Sequence, residues 1–218
     1  ENLPPVRYLL NLLEVVVSRL QTDSILNLLK CTLVPYCLEE ISELENYVYL
    51  WGIDGSKWLS PFTANPQGFT VGLTAKDEAL LERLNSMRRF WMDPIVEFMG
   101  ESRRASVKHI CSAFYRLLER LKVPTLLEAQ IRELRQQEKQ DAADDMLRAW
   151  EILMDILDTM VTAAGDIRVD LNRFAELFAL AVQNSELADR PQTVDCVLVG
   201  SPERMRTDSP KALFLLGV

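Results

Sequence analysis

Ser201, Arg204 and Arg206 share the segment 200–206, which lies between two apolar runs, 193–199 and 212–218. A turn at Gly200 followed by one hydroxyl and two guanidiniums suits the holding of phosphate oxygens, because these groups donate hydrogen bonds and the arginines add fixed charge. The competing account is a plain strand-connecting loop whose arginines pair with Glu203 and Asp208. A second candidate is cationic. Lys108, His109, Arg116 and Arg120 recur on the outer face of a helix-patterned stretch, 105–121. Around them, 83–122 holds nine lysines and arginines against four acids, in a chain whose formal net charge is −8. A basic strip on an acidic protein is placed to track nucleic-acid phosphates, or it is a solvated face with local ion pairs. The third candidate is aromatic. Tyr47, Tyr49, Trp51 and Trp58, with Lys57 alongside, form either a base-stacking platform or a packed helix–loop cluster.

Catalytic chemistry has no comparable foothold. The single histidine, His109, falls on the polar side of its helix, where solvent exposure is the plain expectation. No GxxxxGK[ST] segment is present to cradle a nucleotide. The acids sit at helix-surface spacing beside lysines and arginines, whereas a nuclease needs carboxylates converging on a divalent ion. We therefore expect no catalytic, cofactor-binding or metal-ligating residues in this chain.

The elements that must position these groups are mostly helical. Val6, Leu9, Leu10, Leu13, Val16, Val17 and Leu20 recur at three- and four-residue steps after Pro4 and Pro5, which suit a helix entry. A short helix over 23–29, a break at Pro35 and a helix over 38–49 follow. Gly52, Gly55 and Pro61 mark 51–74 as a long ordered loop. From Lys76 the pattern is helical again, and Pro94 must kink that helix or start another. Val107, Ile110, Cys111, Phe114, Leu117, Leu118 and Leu121 form one apolar stripe, closed by Pro124. The charged stretch 126–150 carries Glu128–Arg132 and Asp144–Arg148 at the i,i+4 spacing of helix-surface pairs. Its apolar-free segment 136–141 leaves two helices with a polar turn as an alternative to one. Trp150, Leu153, Met154, Leu157 and Val161 restore a buried face, and Asp170 caps a last helix running to Gln183.

The fold class expected is mainly α, an orthogonal multi-helix array with a short two-stranded β element at the C-terminus. The domains expected are a helical one over 1–190 and a strand–loop–strand piece over 191–218. Those last runs do not alternate strictly, so they read as strands covered on both faces, which need neighbours that the chain does not supply. That pattern, and an opening Glu1-Asn2, point to a piece of a longer protein, with self-association through unpaired strand edges as a consequence. No run of 18 apolar residues exists, so no membrane helix is expected. Cys31, Cys37, Cys111 and Cys196 are scattered in apolar settings without a CxxC pair. We read them as reduced, mostly buried thiols of a cytoplasmic protein.

Two stretches carry a family resemblance. Residues 194–206 and 211–218 resemble a segment of the AddB subunit of bacterial AddAB helicase–nucleases, corresponding to the motif V region in the second RecA-like domain of superfamily 1 helicases. The patch 44–58, with Trp51-Gly52-Ile53-Asp54-Gly55 at its centre, is similar to a characteristic stretch of that subunit. The opening 5–10 resembles the helix that follows motif IV there. The resemblance implies the helical 2B-type insertion of AddB with the first strands of domain 2A attached. It implies that Ser201, Arg204 and Arg206 lie on a loop touching single-stranded DNA. The Lys-Gly-Leu-Glu-Phe form of motif V is absent, which favours DNA handling over coupled ATP hydrolysis.

By the same resemblance the parent binds ATP, magnesium and an iron–sulfur cluster, and works with an AddA-type helicase–nuclease subunit on DNA in double-strand-break repair and recombination. The DNA-contact candidates are then Ser201, Arg204, Arg206, Lys108, Arg116, Arg120, Lys57 and Trp58. The rival reading is a helical protein-interaction module, docking a partner subunit through the acidic helices 128–150 without touching DNA.

Overall fold

A computed structural model of the chain describes residues 3–69 and 72–185, and they are mainly helical. Eight α-helices follow in order: α1 (Pro4–Val17), α2 (Thr22–Leu29), α3 (Leu38–Leu50), α4 (Ala75–Glu101), α5 (Val107–Arg120), α6 (Val123–Gln136), α7 (Gln140–Ala164) and α8 (Leu171–Gln183). A short 3-10 turn, Gly55–Leu59, interrupts the loop between α3 and α4. The two C-terminal runs, the loop 200–206 and Cys196 lie outside the described residues, as does the β element expected there.

The apolar periodicity translates directly into burial. α1 starts with prolines in its first turn and buries Val6, Leu9, Leu13 and Val16, together with Tyr8, Leu12 and Val15. All seven stripe residues of α5 and its C-cap are buried, with Ile110, Phe114, Leu118 and Leu121 wholly so. α1 packs against α2, α7 and α8, while α5 packs against α4, α6 and α7. Phe114 of α5 meets Phe98 of α4 at 5.7 Å and Phe174 and Phe178 of α8 at 6.3 and 6.0 Å between ring centroids. Offset and edge-on aromatic contacts at such distances add to simple area burial.

Helix ends follow local chemistry. Thr74 and Asp77 form a reciprocal capping box at α4, and Ser106 and Asp170 accept backbone N–H bonds from His109 (3.3 Å) and Arg173 (2.8 Å). α4 runs unbroken through Pro94, so no second helix starts there. The polar stretch does divide the charged region, with α6 ending at Gln136 and α7 beginning at Gln140. The two expected i,i+4 pairs do not form as carboxylate–guanidinium contacts. Arg132 Nε donates to the Glu128 carbonyl at 3.4 Å, and Asp144 instead meets Arg135 across the turn at 3.6 Å. A pair joining two helices at the surface competes on equal terms with one along a single helix, since each is worth little.

The thiols need one correction. Cys111 is buried and Cys31 half-buried, but Cys37 is exposed, because it occupies the N-cap of α3 rather than a core-facing turn. None of these three is in a disulfide. No described helix is long and apolar enough to cross a membrane.

Candidate nucleic-acid interface

The aromatic candidate is resolved by its hydrogen bonds. A loop as long as 51–74 carries many backbone polar groups, and those facing the core must find partners. Asn85 of α4 accepts from the Phe62 N–H at 2.8 Å and donates to the Phe62 carbonyl at 2.9 Å. Arg88 Nη1 donates to the Trp58 carbonyl at 3.2 Å, and its guanidinium lies 5.9 Å from the Phe62 ring centre. Arg88 is itself buried, and desolvation lowers its pKa from the usual arginine value. Trp58 is only 1% exposed. Its Nε1 donates to Thr22 Oγ1 at 3.0 Å, and that hydroxyl donates to the Ile53 carbonyl. Tyr47 is buried against Phe62, and Trp51 Nε1 donates to the Asn65 carbonyl at 3.0 Å.

Trp58 is therefore a core anchor and not a stacking surface, and this corrects its place among the DNA-contact candidates. A ring enclosed on both faces has no room for a base. Lys57 is exposed, with Nζ folded back onto the Gly52 carbonyl at 2.7 Å. Tyr49 is 58% exposed, its hydroxyl donating to Asp23 at 3.0 Å.

The cationic face of α5 is exposed as expected: Lys108, His109, Arg116 and Arg120 all point away from the stripe. α4 supplies acids to part of it. Arg116 meets Glu101 at 2.6 Å, and Arg120 meets Glu97. Both pairs stand in solvent, with all four side chains at least 39% exposed. They compensate charge locally, and as exposed pairs each adds little to stability. Lys108 makes no ion pair or side-chain hydrogen bond among the described residues. Ser201, Arg204 and Arg206 lie outside those residues.

At the start of α5, two connections far apart in sequence are joined. Ser106 and Arg168 form an antiparallel bridge, with Val107 N–H donating to the Ile167 carbonyl at 2.9 Å and Val169 N–H donating to the Ala105 carbonyl at 3.2 Å. Lys108 N–H donates to the Gly165 carbonyl at 3.0 Å. The α4–α5 and α7–α8 connections thus share one edge, and Arg168 stands beside the N-cap of α5. Nothing in the sequence signals this pairing, because the partners are some sixty positions apart and neither segment has a strand pattern.

Catalytic groupings are a separate matter. Among the described residues no three or more histidines, cysteines, aspartates or glutamates stand where they could hold a metal ion. Cys31, Cys37 and Cys111 belong to different elements and differ in burial. The described cysteines thus do not come together as an iron–sulfur cluster would need. What the fold presents is a helical module with an exposed basic helix face.

No protein-family model matches the chain. Similarity to known proteins is nonetheless extensive. In an alignment of 219 positions that covers 98% of its length, the chain is 31% identical to the B subunit of the ATP-dependent helicase/deoxyribonuclease of Clostridioides difficile (strain 630). It is 29% identical over 99% of its length to the protein of the same name from Caldanaerobacter subterraneus subsp. tengcongensis, and 27% identical over 95% of its length to that from Clostridium acetobutylicum. The chain spans about a fifth of the curated relatives it matches: 19% of the first two and 18% of the third. The resemblance to the B subunit of these helicase/deoxyribonucleases is thereby shown over nearly the whole chain. These subunits are its homologues.

Proposed function

We propose that this chain is a non-catalytic, DNA-guiding and structural part of the B subunit of an ATP-dependent helicase–deoxyribonuclease, acting in double-strand-break repair and recombination in the cytoplasm. The observation that carries this reading is the end-to-end similarity to B subunits, from which the parent's activity and its partners, DNA and an AddA-type subunit, are inferred. ATP, magnesium and an iron–sulfur cluster are assigned to the parent outside the described residues. What the described residues offer toward that role is the exposed basic face of α5. A DNA-guiding part needs cations held at fixed spacing on a rigid element, because phosphate contacts set register and path without reading sequence. α5, anchored by seven buried apolar residues, is such an element.

The test is binding of a fluorescein-labelled DNA duplex by the full chain over a range of salt. Affinity whose logarithm falls linearly with the logarithm of salt supports the reading, since each phosphate neutralised releases counterions. The absence of any salt-dependent binding overturns it.

One observation favours the rival reading enough to keep it. On α7, Leu147 is 39% exposed between Asp144 and Glu151, a pattern that suits docking of a partner protein. Capture of an AddA-type subunit that persists at high salt, without DNA binding, would establish that reading instead.

A further inference from the structure

The bridged connections at the start of α5 bring Arg168 to a stretch, 103–108, that already holds three cations. Arg103 and Arg104 follow the end of α4, Lys108 lies in the first turn of α5, and Arg168 is paired with Ser106 across the bridge. All four are exposed. None makes an ion pair or a side-chain hydrogen bond among the described residues. In this they differ from Arg116 and Arg120, which α4 supplies with Glu101 and Glu97.

The acids at the corner are few. Asp170 is committed to the N-cap of α8, Glu101 to Arg116, and Asp166 stands exposed in the α7–α8 connection. Exposed His109 adds a further nitrogen donor to the rim. The N-terminus of α5 adds the positive end of its dipole. Its first N–H groups are already bonded to Ile167, Gly165 and Ser106, so the surrounding side chains are what a ligand would meet.

Two features of the backbone shape this corner. The bridge is of the non-hydrogen-bonded kind, with Val107 N–H and Val169 N–H reaching across on either side of the Ser106–Arg168 pair. Such pairs bring their side chains close together on one face, so Arg168 is held against the α5 N-terminus by the backbone. Arg104, moreover, occupies a left-handed conformation at φ +55°. Glycine or asparagine takes that conformation most easily. Arg19, Leu20, Lys122 and Glu138 take the same conformation at other helix ends, so it belongs to the turn that closes α4, and the Arg104 side chain is engaged by nothing among the described residues.

We propose that this corner, Arg103, Arg104, Lys108 and Arg168, is the phosphate-contacting site of the domain, and that the more C-terminal part of α5 is not. The site takes the sugar–phosphate backbone of DNA. Guanidiniums on two joined connections can each meet a phosphate oxygen bidentately. Within 102–109 and 165–170, Ile167, 58% exposed, is the one large apolar side chain in solvent, so cations dominate the corner. The proposal rests on the DNA-guiding reading above and sharpens it to one place.

The experiment uses the full chain and the same labelled duplex. Replacing Arg103, Arg104 and Arg168 together by Gln should weaken binding roughly tenfold or more at moderate salt and lower the log–log salt slope by about 2 to 3, at about 0.9 per phosphate contact. The all-lysine variant at the same positions should keep most of the slope. Replacing Arg116 and Arg120 by Gln should change neither quantity appreciably. All substituted side chains are exposed, and helical circular dichroism verifies the fold of each variant.

An undiminished slope in the triple variant, with wild-type binding intact, overturns this proposal and leaves the DNA-guiding reading standing. So does a slope lost in the Arg116/Arg120 variant instead. No salt-dependent binding by the wild-type chain overturns both. Retained DNA binding with loss of AddA-type subunit capture in the triple variant assigns the corner to an acidic protein surface, and also overturns it.

Discussion

The loop region 51–69 and the corner built from 102–109 and 165–170 both carry residue types that bind nucleic acid, and the fold uses them in opposite ways. In the loop region Trp58 and Phe62 face inward, while Phe69 is 91% exposed. Trp58 bonds Thr22, Arg88 bonds the Trp58 carbonyl, Asn85 satisfies both polar groups of Phe62, and even exposed Lys57 turns back to a carbonyl. At the corner the backbone does the joining, and the cationic side chains are left unengaged among the described residues. An aromatic–basic pattern in a long loop thus answers first to the loop's own buried polar groups, since an unpaired one costs more than a paired one gains. Where backbone bonds alone close the structure, cations are free for an outside partner.

The largest expected effect is on the inward-facing side. Trp58→Ala should cost about 3–5 kcal/mol of stability in urea unfolding, by loss of a wholly buried ring and the cavity left behind. If it instead leaves stability unchanged and abolishes single-strand binding, the two regions have been assigned the wrong way round.

Asn85→Ala comes next. It orphans the Phe62 N–H and carbonyl together, and should cost about 2–3 kcal/mol. A value near zero would mean that the loop is not held from α4.

The third prediction concerns the buried side of the helix that carries Lys108. Burial, reinforced by the nearby charge of Asp158, raises the Cys111 thiol to about 11 from its ordinary 9.0. The folded state therefore keeps a proton that the unfolded chain begins to release near pH 9. Its contribution is fully present below that pH and is lost as pH rises toward 11, amounting to roughly 2 kcal/mol. Burial also pushes Tyr8 above the usual phenol range, with the same sign. Urea midpoints measured from neutral to alkaline pH should fall, and Cys111→Ala should flatten part of that fall. Midpoints that hold steady through this range would refute it.

The smallest effect belongs to the compensated end of α5. Arg116→Gln with Arg120→Gln should shift stability by less than about 1 kcal/mol, because both pairs are solvent-exposed. A larger loss would show that these pairs lock α4 to α5, and the contrast between the two ends of the helix would weaken.

Much of the fold was legible in advance, for a reason visible in α1 and α5. An apolar residue every three or four positions must share one face of a helix, and that face has to be buried whatever it meets. The exposure of Lys108, His109, Arg116 and Arg120 followed from the same periodicity. The apolar-free segment 136–141 left one helix or two open, and the structure divides it into α6 and α7. Asp170 marked the start of α8, whereas the caps Thr74 and Ser106 emerged only with the structure.

What pattern could not settle was pairing between distant segments. Trp58 and Lys57 are neighbours in sequence, yet one is core and the other surface, because Thr22 and Arg88 claim the first. Arg116 and Arg120 looked identical to Lys108 on a helical wheel until α4 placed Glu101 and Glu97 opposite two of the three. Arg168 came next to Ser106 through backbone bonds that depend on where α7 ends relative to α5. Periodicity is a property of one helix, set by its own backbone geometry, so the order of residues is enough to say which face of each helix is buried. Which partner reaches a given side chain depends on how the helices stack, and it took the packed molecule to separate the charges spent inside the fold from those that remain for a ligand.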